Sequence, residues 1–173
     1  MRSQFLLIPA AVIAAAPAEA YQFLTLRQAQ DVLFPGATFT PVNLTLDTNQ
    51  FYALMKASDV TVWSSRVKAW RVSTGGWLFI DQVLGRDDRI TYVVALDDTG
   101  KVKGVEVLEC LAGYEQVRQQ EWLGQFKDRT HASGNLVTKI KTISGTTLSC
   151  EHIAEGVRRI LATFALFYAP KPE

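Results

Sequence analysis

The fold is decided by residues 66–108, which read RVKAWRVSTGGWLFIDQVLGRDDRITYVVALDDTGKVKGVEVL. Runs rich in Val, Ile, Tyr, Phe and Trp alternate here with Gly- and Asp-containing turns, a pattern typical of strands joined by hairpins. Turns of this chemistry connect antiparallel neighbours. The stretch therefore predicts an antiparallel meander of four or five strands. The predicted strands are Val60–Ser64, Arg66–Ser73, Trp77–Leu84, Ile90–Leu96 and Val102–Leu108, with a further strand over Leu136–Ile140.

Two short helices are predicted before the meander. Thr25 can cap the first helix, which Pro35-Gly36 ends, and Asp47 precedes the second. The apolar positions of the first helix share one face, and we expect those of the second to point inward. These positions are Leu26, Ala29, Val32 and Leu33 in the first helix and Phe51, Leu54 and Met55 in the second.

Two further helices are predicted after the meander. The first carries Val117, Trp122, Leu123 and Phe126. The second, from Cys150 to about Phe167, has the strongest helical spacing of apolar residues in the chain. Glu151 and Glu155 are expected in its first turns, where the helix dipole favours negative charge. Helices before and after a run of strands, without a βαβ rhythm, indicate an α+β domain with a long C-terminal helix packed on the sheet.

Composition excludes several classes of protein. The chain has 173 residues, 48% of them hydrophobic, so it can bury the core of one domain. With 18 basic and 17 acidic residues the net charge is +1, which argues against a nucleic-acid partner because phosphate neutralisation needs clustered Lys and Arg. With only two Cys and two His in the chain, a metal-centred function is not favoured. Cys110 and Cys150 could form one disulfide in an oxidising compartment, and the sequence leaves that pairing open.

Residues 1–20 are interpreted as an export signal. Arg2 precedes an apolar run from Phe5 to Ala16, and Ala18-Glu19-Ala20 places small residues at both cleavage positions. The run is shorter than the roughly 20 apolar residues that span a bilayer. We therefore expect a single mature domain over residues 21–173, exported and either periplasmic or membrane-associated on the extracytoplasmic side. An uncleaved N-terminal anchor is the alternative.

A hydroxyl-rich loop, Ile143-Ser144-Gly145-Thr146-Thr147-Leu148-Ser149, leads into the last helix. Gly145 allows close approach of the backbone to a ligand, and free amides at a helix start beside hydroxyls can bind a phosphate. The alternative is that the hydroxyls only cap the helix.

These residues resemble the FMN-binding domain found in flavin-carrying subunits of the sodium-pumping NADH:quinone reductase and the Rnf complex. The family motif is Ser-Gly-Ala-Thr, and Ser144 to Thr147 match it with Thr146 in place of Ala. The hairpin Tyr92 to Val107, the stretch Arg118 to Phe126 and the segment Leu33 to Gly36 are also similar, in the same order along the chain.

The resemblance implies an exported FMN-binding electron-transfer protein. In that family the last Thr of the motif, here Thr147, commonly carries FMN through a phosphoester that an extracytoplasmic flavin transferase installs. The family usually has an Asp shortly before the Ser, where this chain has Lys139 and Lys141. A redox partner protein is implied as well, and a membrane-bound partner is one option.

The candidate cofactor-binding residues form two groups. Around the phosphate they are Ser144, Gly145, Thr146, Thr147, Leu148 and Ser149. Around the flavin ring, which needs an apolar wall with a few polar groups, they are Tyr114, Glu115, Trp122 and His152. Trp122 and Phe126 at i, i+4 are also typical of a core. No catalytic acid–base set stands out, so an electron carrier is favoured over a flavin-dependent reductase or a non-redox exported binding module.

Overall fold

Four long strands form the centre of an antiparallel sheet in the computed structural model, which describes residues 20–85, 88–111 and 115–170. They are β4 (Arg66–Val72), β5 (Trp77–Leu84), β6 (Arg89–Leu96) and β7 (Val102–Leu111). Each strand pairs with its neighbour in the chain, for example Lys68 with Ile80 and Val83 with Ile90. The predicted meander is confirmed.

Three short strands extend the sheet at its edges. They are β1 (Ala20–Gln22), which pairs with β7, and β2 (Phe39–Pro41) and β3 (Leu44–Thr45), which both pair with β4. The strand order is β1-β7-β6-β5-β4-β2. Strands of two or three residues are too short to show an alternating pattern, so the sequence did not predict them.

Two capped helices, α1 (Leu26–Leu33) and α2 (Thr48–Ser58), precede the meander as expected. Thr25 and Asp47 are their N-caps, and each forms a reciprocal capping box with the Gln three residues later. Val32 was predicted on the buried face of α1 but is exposed. The inward face is instead centred on Ala29, which packs against Phe34 and Val72 in one buried cluster.

The helices after the meander differ from the prediction at their boundaries. The first is broken into a 3₁₀ turn over Glu115–Arg118, the helix α3 (Gln120–Leu123) and a second 3₁₀ turn over Gly124–Phe126. The last helix, α4 (Thr147–Phe167), begins three residues before the predicted Cys150. Glu151 and Glu155 therefore lie beyond the first turn, which contains no acidic residue.

Helices cover both faces of the sheet. The helix α1 packs on the face that carries Leu78, Val93 and Ala95. The helix α4 packs on the opposite face, where Phe79, Tyr92 and Val94 are buried with its apolar side. The helix α2 packs beside α4, with Leu54 and Ala162 in one cluster. The fold is α+β, as predicted.

Two of the predicted strands are wrong. Residues 60–64 form no strand, because the Thr61 carbonyl accepts a hydrogen bond from the Arg159 guanidinium (3.2 Å) instead of a strand partner. Residues 136–140 form a turn in which the amides of Lys139 and Ile140 both donate to the Leu136 carbonyl. In both segments apolar residues produced the strand pattern, but the backbone groups are satisfied locally or by a distant side chain.

Aspartates hold the hairpin turns. The Asp97 carboxylate accepts hydrogen bonds from the amides of Thr99 and Lys101. Burial acts to raise the pKa of Asp97, but these bonds and the Thr99 hydroxyl together lower it. Asp98 accepts hydrogen bonds from the Arg71 side chain and from the Gly76 amide, which lower its pKa. Asp98 thereby joins the β6–β7 turn to the β4–β5 turn.

An ion pair between a buried arginine and a half-buried aspartate joins α4 to the sheet. The guanidinium of Arg159 donates two hydrogen bonds to the Asp81 carboxylate, from Nε (3.1 Å) and Nη2 (2.5 Å). Three residues earlier, Gly156 lies directly against β6, where a β-carbon would collide with the Tyr92 hydroxyl and with Val83. Burial raises the pKa of Tyr92 well above its ordinary value, so its hydroxyl stays protonated and donates to Asp81 (3.3 Å).

Two sequence predictions are not tested by this structure. The expected export signal lies outside the described residues except for Ala20, which belongs to β1. The single domain over residues 21–173 stays a prediction as well. Within the described residues, no helix is both long and apolar enough to cross a membrane.

We expect Arg159→Met to lower the free energy of unfolding by about 3 kcal/mol, because it leaves the Asp81 carboxylate without its cation. Arg158→Met is the matched control, since Arg158 pairs with the exposed Asp59 (3.3 Å) and should contribute less than about 1 kcal/mol. Urea denaturation at neutral pH measures both. Equal losses in the two variants would contradict the importance of the Arg159 pair.

Candidate functional site

A tight turn delivers the chain to the start of α4. The Thr146 amide donates to the Ile143 carbonyl (3.1 Å), which closes the turn around Ser144 and Gly145. Gly145 has φ +87°, a left-handed conformation that L side chains rarely adopt, and open space surrounds the position of its missing β-carbon. The glycine therefore meets a backbone requirement and keeps this side of the turn open.

The alternative, in which the loop hydroxyls only cap α4, is not supported at the N-cap position. Thr146 is the N-cap of α4, but its side chain makes no capping hydrogen bond. Its hydroxyl instead donates to the Ile143 carbonyl (3.3 Å) and lies 3.7 Å from Cys150 Sγ. The first amides of α4 have no partner within the helix, and no side chain in the described part of the chain caps them. The positive end of the helix dipole is thus available to an anion.

Exposure separates the hydroxyl residues of the loop. Ser144 and Thr147 are exposed, together with Gly145 and Leu148. Thr146 and Ser149 are buried, with exposed fractions of 5% and 1%. Thr147 is therefore the one threonine of the pair 146–147 whose side chain is accessible at the first turn of the helix.

The Ser149 hydroxyl has no hydrogen-bond partner among the described residues. It belongs to the third residue of α4, in the same turn as the uncapped amides. An unsatisfied buried hydroxyl costs about 1–3 kcal/mol, so native proteins keep few of them. A polar ligand at this end of the helix would supply the missing partner.

The short helix α3 anchors the loop before α4 through the backbone of Lys141. The Trp122 indole N–H donates to the Lys141 carbonyl (2.7 Å). The Gln125 side chain accepts from the Lys141 amide (2.9 Å) and donates to the same carbonyl (3.2 Å). Trp122 itself is buried, 4% exposed, with its ring against Phe126 in a T-shaped contact. The structure therefore places Trp122 in the core, where it positions the loop.

Sequence reasoning missed Gln125. Its spacing of three residues from Trp122 places the two side chains on one side of the chain, and this is the only signal that the sequence offered. The partner is a backbone group sixteen residues away, which no side-chain pattern encodes.

His152 ties the first turns of α4 to the end of β5. Its Nδ1 donates to the Leu84 carbonyl, because a carbonyl can only accept, and this requires the hydrogen on Nδ1. Leu148 lies one helical turn before His152 on the same face. His152 is half-buried, and its contact with the sheet fixes where the helix start lies.

The other predicted ring residues lie at or after the end of β7. Tyr114 falls outside the described residues. Glu115 is exposed at the start of the first 3₁₀ turn. The pKa of the Cys110 thiol is raised to about 11, mainly by burial and to a smaller extent by the negative charge of Glu115. Cys110 and Cys150 are both free and buried.

The two lysines that stand near the expected Asp position are both exposed. The Lys139 ammonium donates to the Ser133 carbonyl, which holds it on the neighbouring loop. Lys141 is held by its backbone, as described above. The approach to α4 is therefore a segment of positive side chains and hydroxyls.

Residues 85–162 match the family model described as FMN-binding domain. A search of the curated proteins returns no match. The matched range includes the whole loop, α3 and most of α4, and the resemblance found in the sequence is confirmed. FMN is the cofactor that this domain indicates. The uncapped amides of α4, the exposed Thr147 hydroxyl and the unpartnered Ser149 hydroxyl fit the phosphate end of this cofactor.

We expect Gln125→Ala to loosen the loop before α4, because the Lys141 amide loses its acceptor. Hydrogen exchange of peptides covering residues 141–149 should become faster, and the free energy of unfolding should fall by about 1 kcal/mol. Gln120→Ala is the matched control, since Gln120 lies in the adjoining helix α3 but contacts the Glu106 carboxylate (3.0 Å). Unchanged exchange in Gln125→Ala would show that Trp122 alone holds the loop.

Proposed function

We propose that this chain, whose residues 85–162 match the FMN-binding domain model, holds FMN by its phosphate at the start of α4 and works as an exported electron carrier. The observation that carries the proposal is a helix start without a side-chain cap that presents one exposed threonine, Thr147. FMN supplies one- and two-electron transfer when bound.

The attachment proposed for FMN is a phosphoester to the Thr147 hydroxyl, made by an extracytoplasmic flavin transferase. Burial of Thr146 and Ser149 argues against both as acceptors, because an enzyme must reach the hydroxyl. Ser144 is exposed but belongs to the turn rather than to the helix. At Thr147 the remaining negative charge of the phosphodiester would face the helix dipole, which stabilises it.

The chain's own residues would perform three tasks around the phosphate. The amides at the start of α4 donate to phosphate oxygens, and the Ser149 hydroxyl gains a partner. Gly145 leaves room for the ligand beside the turn. Trp122 and Gln125 hold the loop in place through Lys141. None of these tasks is an acid–base step, which supports a carrier that exchanges electrons with a partner protein over a stand-alone enzyme.

Thr147→Ala should abolish covalent flavin attachment. Wild-type protein produced in an exporting cell with a flavin transferase should gain the mass of one FMN less one water and keep yellow colour after denaturation. The alanine variant should fold, because Thr147 is exposed, but gain no mass. Ser144→Ala is the matched control for loss of an exposed loop hydroxyl and should retain the flavin.

Intact mass spectrometry of the three denatured proteins gives the answer. Covalent flavin on the Thr147→Ala variant would show that the flavin is attached to another hydroxyl. Release of all FMN from denatured wild type would show that FMN binds reversibly at the helix start and not through a phosphoester.

Export is part of the proposal, on the strength of the residue 1–20 pattern. We expect N-terminal sequencing of protein from the extracytoplasmic fraction to begin at Tyr21. Recovery of intact Met1 from that fraction would support the uncleaved anchor instead.

A further inference from the structure

A cavity of about 660 Å³ lies beside the middle of α4, where Arg159, Ile160 and Thr163 line it. It forms where β5 continues past its partner: Lys68 and Ile80 are the last pair between β4 and β5, so the end of β5 has no strand on that side. We call this cavity the edge pocket. The residues used below are Trp63, Arg66, Lys68, Leu84, Arg89 and Arg159, all of which line it.

The open edge of β5 is closed by side chains rather than by a strand. The carbonyl of Gln82 accepts a hydrogen bond from Arg159 (3.4 Å), and that of Leu84 accepts one from His152. The Arg159 guanidinium also holds the Thr61 carbonyl on the far side of the gap (3.2 Å). The floor of the edge pocket is therefore built from satisfied polar groups and does not need a strand to complete it.

The edge pocket carries a positive charge. Four cationic side chains line it, Arg66, Lys68, Arg89 and Arg159, against the single carboxylate of Asp81. Arg159 is neutralised by Asp81, whereas no ion pair in the described part of the chain involves the other three. A cleft lined by charge of one sign attracts a ligand of the opposite sign more strongly than a flat surface does.

The edge pocket also presents an exposed aromatic ring. Trp63 is 78% exposed and Leu84 is 59% exposed, which is unusual for large apolar side chains in a concave site. The buried side chains of Phe79 and Ile160 form the apolar wall behind them. An exposed indole beside an apolar wall favours a planar ring, which can stack on it.

Most of the edge pocket lies away from the proposed phosphate site, although Leu84, which lines it, accepts a hydrogen bond from His152 in the second turn of α4. Arg159 lies twelve residues after Thr147 on the same helix, which corresponds to about 18 Å along the axis. Trp63, Arg66, Lys68 and Leu84 precede the matched range 85–162. Most of the edge pocket is therefore built by residues outside the segment recognised as the FMN-binding domain.

We propose that the edge pocket is a second binding site, for a planar aromatic anion whose ring stacks on Trp63 and whose charged group meets Arg66 and Lys68. Its volume is within the range of small-molecule sites, about 300–1,000 Å³. Binding weakens as the salt concentration rises, because Arg66, Lys68 and Arg89 are exposed.

The test uses the FMN-loaded chain and the probe naphthoate, with naphthamide as the uncharged version of the same ring. The chain has four tryptophans, so nitrogen-15 spectra of the indole groups are simple to follow, and Trp63→Phe assigns the signal of interest. We expect naphthoate to shift the Trp63 indole signal in a saturable way and to leave that of the buried Trp122 unchanged. Naphthamide should bind roughly tenfold more weakly.

Charge variants distinguish specific recognition of the anion from nonspecific binding. The double variant Arg66→Gln, Lys68→Gln should weaken naphthoate binding by roughly tenfold. Lys101→Gln, Lys127→Gln removes the same charge from exposed lysines that do not line the edge pocket and should leave the affinity unchanged. The spectra of each variant also report whether it is folded.

Three results would overturn the proposal. The first is no shift at Trp63, and the second is equal affinity for naphthoate and naphthamide. The third is binding that occurs in FMN-free Thr147→Ala protein but is lost when wild type carries FMN, since the edge pocket would then be occupied by the flavin itself. Binding with the expected charge dependence in both forms supports a second site.

Discussion

The docking of α4 on β5 and β6 is the contact on which the rest of the structure depends. Gly156 allows the helix to approach Tyr92, and Arg159 places a cation beside the Asp81 carboxylate at that closest approach. The Arg159 charge leaves water while Asp81 stays partly exposed, so the pair is favourable only because the geometry gives Arg159 several acceptors. The acceptors of the Arg159 guanidinium are the Asp81 carboxylate and the carbonyls of Thr61 and Gln82.

That docking determines the two ends of the functional surface. Toward the N-terminus of α4, His152 bonds the last carbonyl of β5 and thereby fixes the position of the uncapped amides. Toward its middle, Arg159 replaces a strand partner along the edge of β5 and leaves the edge pocket open. An unpaired strand edge is a liability for aggregation, and here two side chains of one helix occupy it.

The elements that could be predicted are those whose signals are local. The caps of α1 and α2 are encoded by Thr25 and Asp47 with a Gln three residues on, and the meander by turns of fixed chemistry. Residues 60–64 were misassigned because their backbone partner is Arg159, almost a hundred residues later. The start of α4 was misplaced because a run of hydroxyl residues is equally compatible with a loop and with a first helical turn.

The choice between the adjacent threonines shows most clearly what the sequence lacks. Thr146 and Thr147 have the same side chain, and the family motif alone favours the second. In the structure the two side chains point in different directions around the helix axis. Thr146 faces inward and contacts Ile143 and Cys150, whereas Thr147 is exposed. That rotation is set by the turn at Gly145 and by the docking of α4 below it. The accessibility of one hydroxyl therefore depends on a glycine two residues before it and on an arginine three turns after it.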